Sequence, residues 1–179
     1  MARKNSRQVV IDGDVALIEL TGGHWAKIDV SDLGAIARFS WHAIVSRKKD
    51  GSIRSVYASR NAVKSDGKGC PSRILMHRAI MGSAFEEEVD HVDGDGLNNR
   101  RTNLRRATHS QNMHNQRLSV ANTSGQKGVT FNRASKKWQA QIKKSGKVIY
   151  LGVFPTIEMA AKAYADASVS LHGDFGRVA

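Results

Sequence analysis

Apolar and polar positions alternate in short runs over the first third of the chain. Between residues 9 and 30, Val15, Leu17, Ile18 and Leu20 are interrupted by Asp12-Gly13-Asp14 and by Gly22-Gly23. Runs this short, bounded by turn-forming pairs, predict two or three strands. Val30-Ser31-Asp32 ahead of Leu33, Ile36 and Ala37 predicts a capped helical turn, and Trp41 is expected to open the next strand. Residues 46–51 are polar and predict a turn, after which Ser55-Val56-Tyr57-Ala58-Ser59 alternates as a strand does. A polar stretch, 64–72, leads into Ile74-Leu75-Met76-His77-Arg78-Ala79-Ile80-Met81, a short apolar helix or strand that ends at Gly82.

Periodicity is lost between Arg117 and Gly125, where Ser119, Asn122, Thr123 and Ser124 cluster. This predicts a domain over residues 1–117, a linker over 118–126 and a second domain over 127–179. In the second domain, strand-like runs near 127–131, 137–143 and 148–154 predict a three-stranded meander, with turns at Ala134-Ser135 and Ser145-Gly146. Pro155-Thr156 then starts a helix whose Ala160, Ala161, Ala163, Tyr164, Ala167 and Leu171 form one stripe. Such a helix covers one sheet face and leaves the other open. The expected fold class is α+β: a small N-terminal β-rich region, a hairpin-and-helix motif in the middle, and a three-stranded antiparallel sheet packed on one helix.

Composition narrows the partners. The 179 residues are 40% hydrophobic, enough for one or two small cores, and 28 Lys and Arg against 16 Asp and Glu give a formal charge of +12. A polyanion, nucleic acid first, is the expected partner. The single cysteine, Cys70, excludes an internal disulfide and a multi-cysteine zinc site, and fits a reducing cytoplasm. No run of about 18 apolar residues is present to span a bilayer, and the basic residues 1–7 lack the apolar stretch of a secretory signal. A cytoplasmic protein is expected, with no membrane partner.

The most informative stretch is Val89 to Asn112, VDHVDGDGLNNRRTNLRRATHSQN. Its polar density is too high for a core. A short strand ends with Asp90 beside His91, a Gly- and Asn-rich loop follows, Leu104 to Ala107 return as a strand, and Thr108 caps a helix carrying Asn112. Phosphodiester hydrolysis needs a base to activate water and a divalent cation to stabilise charge on the phosphate and leaving oxygen. His91 suits the base and Asp90 the cation. Adjacent strand residues face opposite sides, so the two share a site only where the strand ends or twists. Asp93 and Asp95 are read as shaping the loop.

With its spacing intact, this stretch resembles the HNH motif of ββα-metal homing and phage endonucleases. The resemblance implies that His91 is the general base and that Asn103 braces the loop and orients that base. It implies a cation held by Asp90 with Asn112. Asn112 stands where the family's name places a histidine, and the resemblance leaves open whether His109 or His114 joins the metal. Oxygen ligands suit Mg2+ or Mn2+ rather than zinc. Arg100, Arg101, Arg105 and Arg106 flank the motif, and Arg100 and Arg105 are candidate contacts to the DNA backbone. Leu75-Met76-His77-Arg78 resembles the leucine–histidine–arginine element that precedes the motif in similar phage enzymes, which implies a supporting role for His77 and Arg78. His24, His42 and His172 have no constellation around them.

Residues 124–176 resemble the ethylene-response-factor (Apetala-type) DNA-binding domain, through Gly128-Val129-Thr130-Phe131-Asn132, Lys137-Trp138-Gln139-Ala140-Gln141-Ile142, Tyr150-Leu151-Gly152-Val153-Phe154 and Glu158 to Tyr164. That family lays a three-stranded sheet in the major groove. The implied DNA contacts are Lys127, Thr130, Asn132, Lys137, Gln141, Lys143 and Tyr150. Thr130 and Asn132 replace arginines usual in plant members, so the plant target sequence is not implied. Trp138 is read as core in preference to contact, Phe131 fits either, and Phe154, Ala160, Ala161 and Tyr164 build the core. Lys143, Lys144 and Lys147 suit phosphates.

Together these features predict a metal-dependent endonuclease that prefers certain sites in double-stranded DNA, of phage or mobile-element origin. One HNH site per chain predicts nicking, with a second engagement or a homodimer on DNA needed for a double-strand break. Two rivals differ in class: a DNA-binding regulator whose HNH hairpin is catalytically silent, and a binder of structured RNA.

Overall fold

A computed structural model of the chain describes residues 8–63, 66–67, 72–83, 87–115, 118, 122–144, 146–176 and 178. Cys70, most of the polar stretch 64–72, linker residues 119–121 and Ser145 lie outside the described residues. The chain is a mixture of helices and strands arranged as several small sheets, an α+β protein. It divides into two compact units, Met1–Ala107 and Thr108–Ala179.

In the first unit, β1 (Val9–Asp12), β2 (Val15–Glu19) and β3 (Trp25–Asp29) form an antiparallel sheet in that order. On β2 the alternation Val-Ala-Leu-Ile-Glu sends Ala16 and Ile18 inward, where they meet Ala26 and Ile28 of β3. A helical turn, α1 (Leu33–Ile36), forms where the spacing predicts one. No side-chain cap closes it, however; Asp32 takes a guanidinium instead, as described below. Trp41 precedes β4 (His42–Arg47) rather than opening it, and its ring fills the core with Nε1 donating to Ile36 O at 2.8 Å.

Strand β4 pairs with β5 (Ile53–Asn61), and β5 with β6 (Arg73–Leu75). The apolar run 74–81 is therefore both of the elements it could be: β6 ends at Leu75 and α2 (Met76–Met81) begins at once. Gly82, at φ +57°, closes α2 in the left-handed conformation that suits glycine. The hairpin β7 (Glu88–His91) and β8 (Leu104–Ala107) contributes Val89 and Leu104 to one core shared with Ile18, Leu20, Ile28, Trp41, Met76 and Ile80. Each such large side chain contributes about 1.5–3 kcal/mol by leaving water.

In the second unit, α3 (His109–His114) precedes a meander of β9 (Val129–Asn132), β10 (Lys137–Lys144) and β11 (Lys147–Phe154), with β10 in the centre. Helix α4 (Ile157–His172) starts at Thr156, whose Oγ1 accepts from Met159 N, and packs on one sheet face. Val129, Ala140, Ile142, Ala160 and Tyr164 form the core, with Trp138, Leu151 and Phe154 against it. Trp138 is thus a core residue, and the half-exposed Phe131 packs edge-on against it at 5.1 Å.

The β10–β11 register slips between Ala140 and Gln141, where Leu151 is the extra residue and turns into the core. Gly128 sits at φ +68°, and a Cβ there would run into the Tyr164 ring and Gln141 O. Gly128→Ala is expected to destabilise the protein by roughly 1–3 kcal/mol, read as a lower denaturant midpoint. An unchanged midpoint would show that Tyr164 swings away without cost.

Candidate functional site

Strand β3 positions the motif loop through its backbone. Lys27 N donates to Leu97 O at 2.8 Å, and Asn99 N donates to Lys27 O at 2.7 Å. Side chains complete the attachment. Arg100 Nε binds Asp29 Oδ1 at 2.8 Å and its Nη2 binds Asp14 Oδ2 at 2.6 Å, while Arg101 binds Asp32 through Nε and Nη2. The acidic residues of the N-terminal sheet and the following turn therefore hold the first two arginines of the motif.

Inside the loop, Asn103 makes three side-chain hydrogen bonds. Its Oδ1 accepts from Asp93 N at 3.0 Å, and its Nδ2 donates to Asp93 Oδ1 and Asn98 O at 2.9 and 2.8 Å. Asp93 also accepts from Asp95 N and from Asn98 Nδ2. Although burial pushes its carboxyl up, these hydrogen bonds outweigh it and hold Asp93 below the ordinary carboxylate range. Gly96 fits because a Cβ there would meet Val56 O and the Tyr57 ring.

Strand β7 ends at His91, and Asp90 and His91 are both buried, each 5% exposed. Asp90 Oδ2 accepts from Arg105 Nε and Nη2 across the hairpin, at 2.9 and 2.7 Å. His91 Nε2 faces Asn99 Oδ1 at 3.4 Å. Asn99 is fully buried, and its Nδ2 donates to Leu97 O, which turns the amide oxygen toward the imidazole. This contact suits the tautomer in which Nε2 carries the proton. Burial lowers the His91 pKa, opposed by the Asn99 hydrogen bond and by the Asp93, Asp90 and Asp95 carboxylates.

Aromatic rings enclose the imidazole. His77 meets His91 edge-on at 4.9 Å, and Tyr57 lies 5.8 Å from both. Burial, with the nearby His91 and Arg78 charges, holds His77 down to about 3. The unfolded chain takes up this proton below about 6.5 and the folded one not until about 3, so the contribution is complete above pH ~6.5 and is lost on acidification. Stability should fall by up to ~1.4 kcal/mol per pH unit across that window. His77→Phe is expected to flatten the slope in urea midpoints measured from pH 7 to 4; an unchanged slope would assign the acid sensitivity to other groups.

Asn112 lies on α3, in the second unit, behind the reciprocal cap in which Thr108 Oγ1 accepts from Gln111 N and Gln111 Oε1 accepts from Thr108 N. Among the described residues no group of three or more His, Cys, Asp and Glu side chains is arranged to hold a metal ion. The buried Asp90 carboxylate is a hard oxygen donor, of the kind that suits a cation keeping water and taking phosphate oxygens as further ligands.

The remaining candidates lie on the open face of the second sheet, except Lys127, which is turned toward the end of α3 and the helix-covered side. Thr130 opposes Gln139, Lys137 opposes Asn132, and Gln141 opposes Tyr150. Lys143 follows in the same alternation. Tyr150, Val148 and Val153 leave apolar surface exposed there. Asn132 Oδ1 accepts from Ala134 N and Ser135 N, so it also closes the β9–β10 turn. Lys127 precedes the sheet, and its Nζ donates to His114 O at 2.6 Å.

Asn99 and Tyr57 join the site beyond the residues that the motif names. The Asn98-Asn99 doublet inside the motif is the local sign of the first; nothing local marks Tyr57, which is brought to His91 from β5.

The HNH endonuclease family model matches residues 82–114. Protein 3.8 of Escherichia phage T7 is 33% identical over 89 residues, half of this chain and 73% of that one. The "Uncharacterized HNH endonuclease L560" of Acanthamoeba polyphaga mimivirus is 36% identical over 109 residues, 58% of this chain and 56% of that one. The AP2-like ethylene-responsive transcription factor TOE2 of Arabidopsis thaliana is 43% identical over 51 residues, 28% of this chain and 10% of that one. No solved structure matches the chain at a significant level. The chain belongs to the family of the phage T7 Protein 3.8 and carries an HNH endonuclease domain. No helix among the described residues is long and apolar enough to cross a membrane.

Proposed function

We propose that the protein is a metal-dependent, site-preferring DNA endonuclease of the homing type. The observation that carries this reading is the buried Asp90–His91 pair at the end of β7, inside the matched HNH segment and beside a loop tied by Asn103. His91 acts as general base, taking a proton from the attacking water as its oxygen bonds to phosphorus. The phosphorus–oxygen bond to the leaving strand then breaks, and the leaving oxygen is protonated from solvent. Asn103 keeps the loop, and through it the base, in place. Asp90 and Asn112 would hold one Mg2+ or Mn2+, which when bound stabilises charge on the scissile phosphate and leaving oxygen.

Arg100 and Arg105 are proposed to lie along the DNA backbone while keeping their carboxylate partners. Lys127, Thr130, Asn132, Lys137, Gln141, Lys143 and Tyr150 are the proposed contacts of an ethylene-response-factor-like reader, and the similarity to plant transcription factors over 51 residues supports that role. A cutting domain joined to a reader gains effective concentration at chosen sites. With one such site per chain the enzyme nicks, and a second engagement or two copies on one duplex make a double-strand break. The proposed setting is the cytoplasm of a phage-infected cell, on a mobile element.

End-labelled duplex DNA and structured RNA, each incubated with protein and Mn2+ at one salt concentration, test the substrate. Cleavage and retention of duplex over RNA are expected. Preferential retention of RNA without duplex cleavage would overturn the assignment.

A further inference from the structure

Helix α3 has six residues, none of them buried. A helix this short does not persist without outside contacts. The Thr108–Gln111 cap holds its start. Its last turn is held by two residues distant in sequence. Lys127 Nζ donates to His114 O at 2.6 Å, a cation at the carbonyl end where the helix dipole is negative. The His114 ring lies flat on that of His172, with centroids 3.6 Å apart and planes 17° from parallel. His172 is the last residue of α4, so this stack ties α3 to the helix that backs the reader sheet. A cavity of about 450 Å³ adjoins these contacts, bounded by His114, Lys127 and His172 together with Met113, Ile142 and Tyr164. Both contacts lie at the C-terminal turn, two residues beyond Asn112.

We propose that His172 and Lys127 are positioning residues for Asn112, and that both act within the C-terminal unit by fixing the last turn of α3. The inference rests on the assignment of Asn112 to the cation. Under it, single changes at residues distant from Asn112 in sequence alter the metal requirement.

Hydrogen exchange of the full-length chain, without DNA or metal, tests the anchoring. In His172→Ala the amides of residues 109–115 should exchange roughly three- to tenfold faster, and His172→Phe, which keeps a stacking ring, should restore them. Lys127→Met should also speed exchange there. If His172→Ala additionally opens residues 129–154, Lys127→Met, which removes one donor and no ring, decides the point. Unchanged exchange at 109–115 in both variants overturns the proposal.

Plasmid nicking against Mn2+ concentration then separates positioning from simple support. The half-maximal concentration should rise several-fold in His172→Ala and return in His172→Phe, with duplex affinity within twofold. An unchanged midpoint overturns the positioning role even where exchange has risen. Failure of the wild-type chain to nick would contradict the endonuclease reading instead, and the exchange experiment would still decide whether His172 and Lys127 anchor α3.

Discussion

Replacing His91 by alanine is expected to abolish DNA cleavage while leaving duplex affinity within a few-fold. A positioned general base contributes about 10²–10⁴-fold to such a reaction. Here the imidazole is held on three sides: Asn99 Oδ1 at Nε2, the His77 ring edge-on, and Tyr57 beside both. No neighbour in that group replaces it, since His77 is held neutral and Tyr57 has its pKa raised by burial and by the Asp90 charge. The substitution leaves a small hole between rings and leaves the open face of the second sheet untouched. Single-turnover cleavage and duplex binding, measured on the same preparation, separate the two effects. Normal cutting by the variant would remove His91 from the role of base.

Asp90→Ala is expected to have two large effects together. The proposed cation loses its only carboxylate, so cleavage should vanish at any Mg2+ or Mn2+ concentration. The Arg105 guanidinium, with its side chain 18% exposed, also loses the carboxylate that it grips with two nitrogens. Removing one partner from a buried ion pair costs about 3–5 kcal/mol, and the residual exposure of Arg105 places the expected loss near the lower end. Asp90→Ala with Arg105→Leu should recover much of the stability and none of the activity. The denaturant midpoint and nicking of both variants check this. Recovered activity in the double variant would show that Asp90 serves the fold and not the reaction.

These outcomes also show which parts of the molecule local sequence reveals. The alternation through β2, the stripe on α4 and the Thr108 cap depend on residues within a few positions of one another, and each is visible as a pattern. The motif is legible for the same reason: Asp90, His91 and Asn103 lie within one hairpin. Long-range partners leave no such trace. Arg100 reaches Asp29 from 71 residues away, and Arg101 reaches Asp32 from 69, so arginines read as a basic face toward DNA have carboxylate partners. The helical turn at Leu33 offers Asp32 as a cap by every local rule, yet a bidentate guanidinium takes it.

Histidines follow the same division. His91 is marked by its neighbours in sequence, whereas His172 has none that suggest a role and acquires one by stacking on His114. Asn99 resembles any other loop amide until its burial is known.

Incubation of purified protein with supercoiled plasmid, with and without Mg2+ or Mn2+, shows whether the chain cuts DNA with a metal ion. Conversion to the nicked circle is expected, requiring metal, preceding any linear product and disappearing in His91→Ala. Persistent plasmid binding with no nicking under either metal, on a plasmid carrying a site that the protein retains, would contradict it and favour a DNA-binding regulator with a silent HNH hairpin.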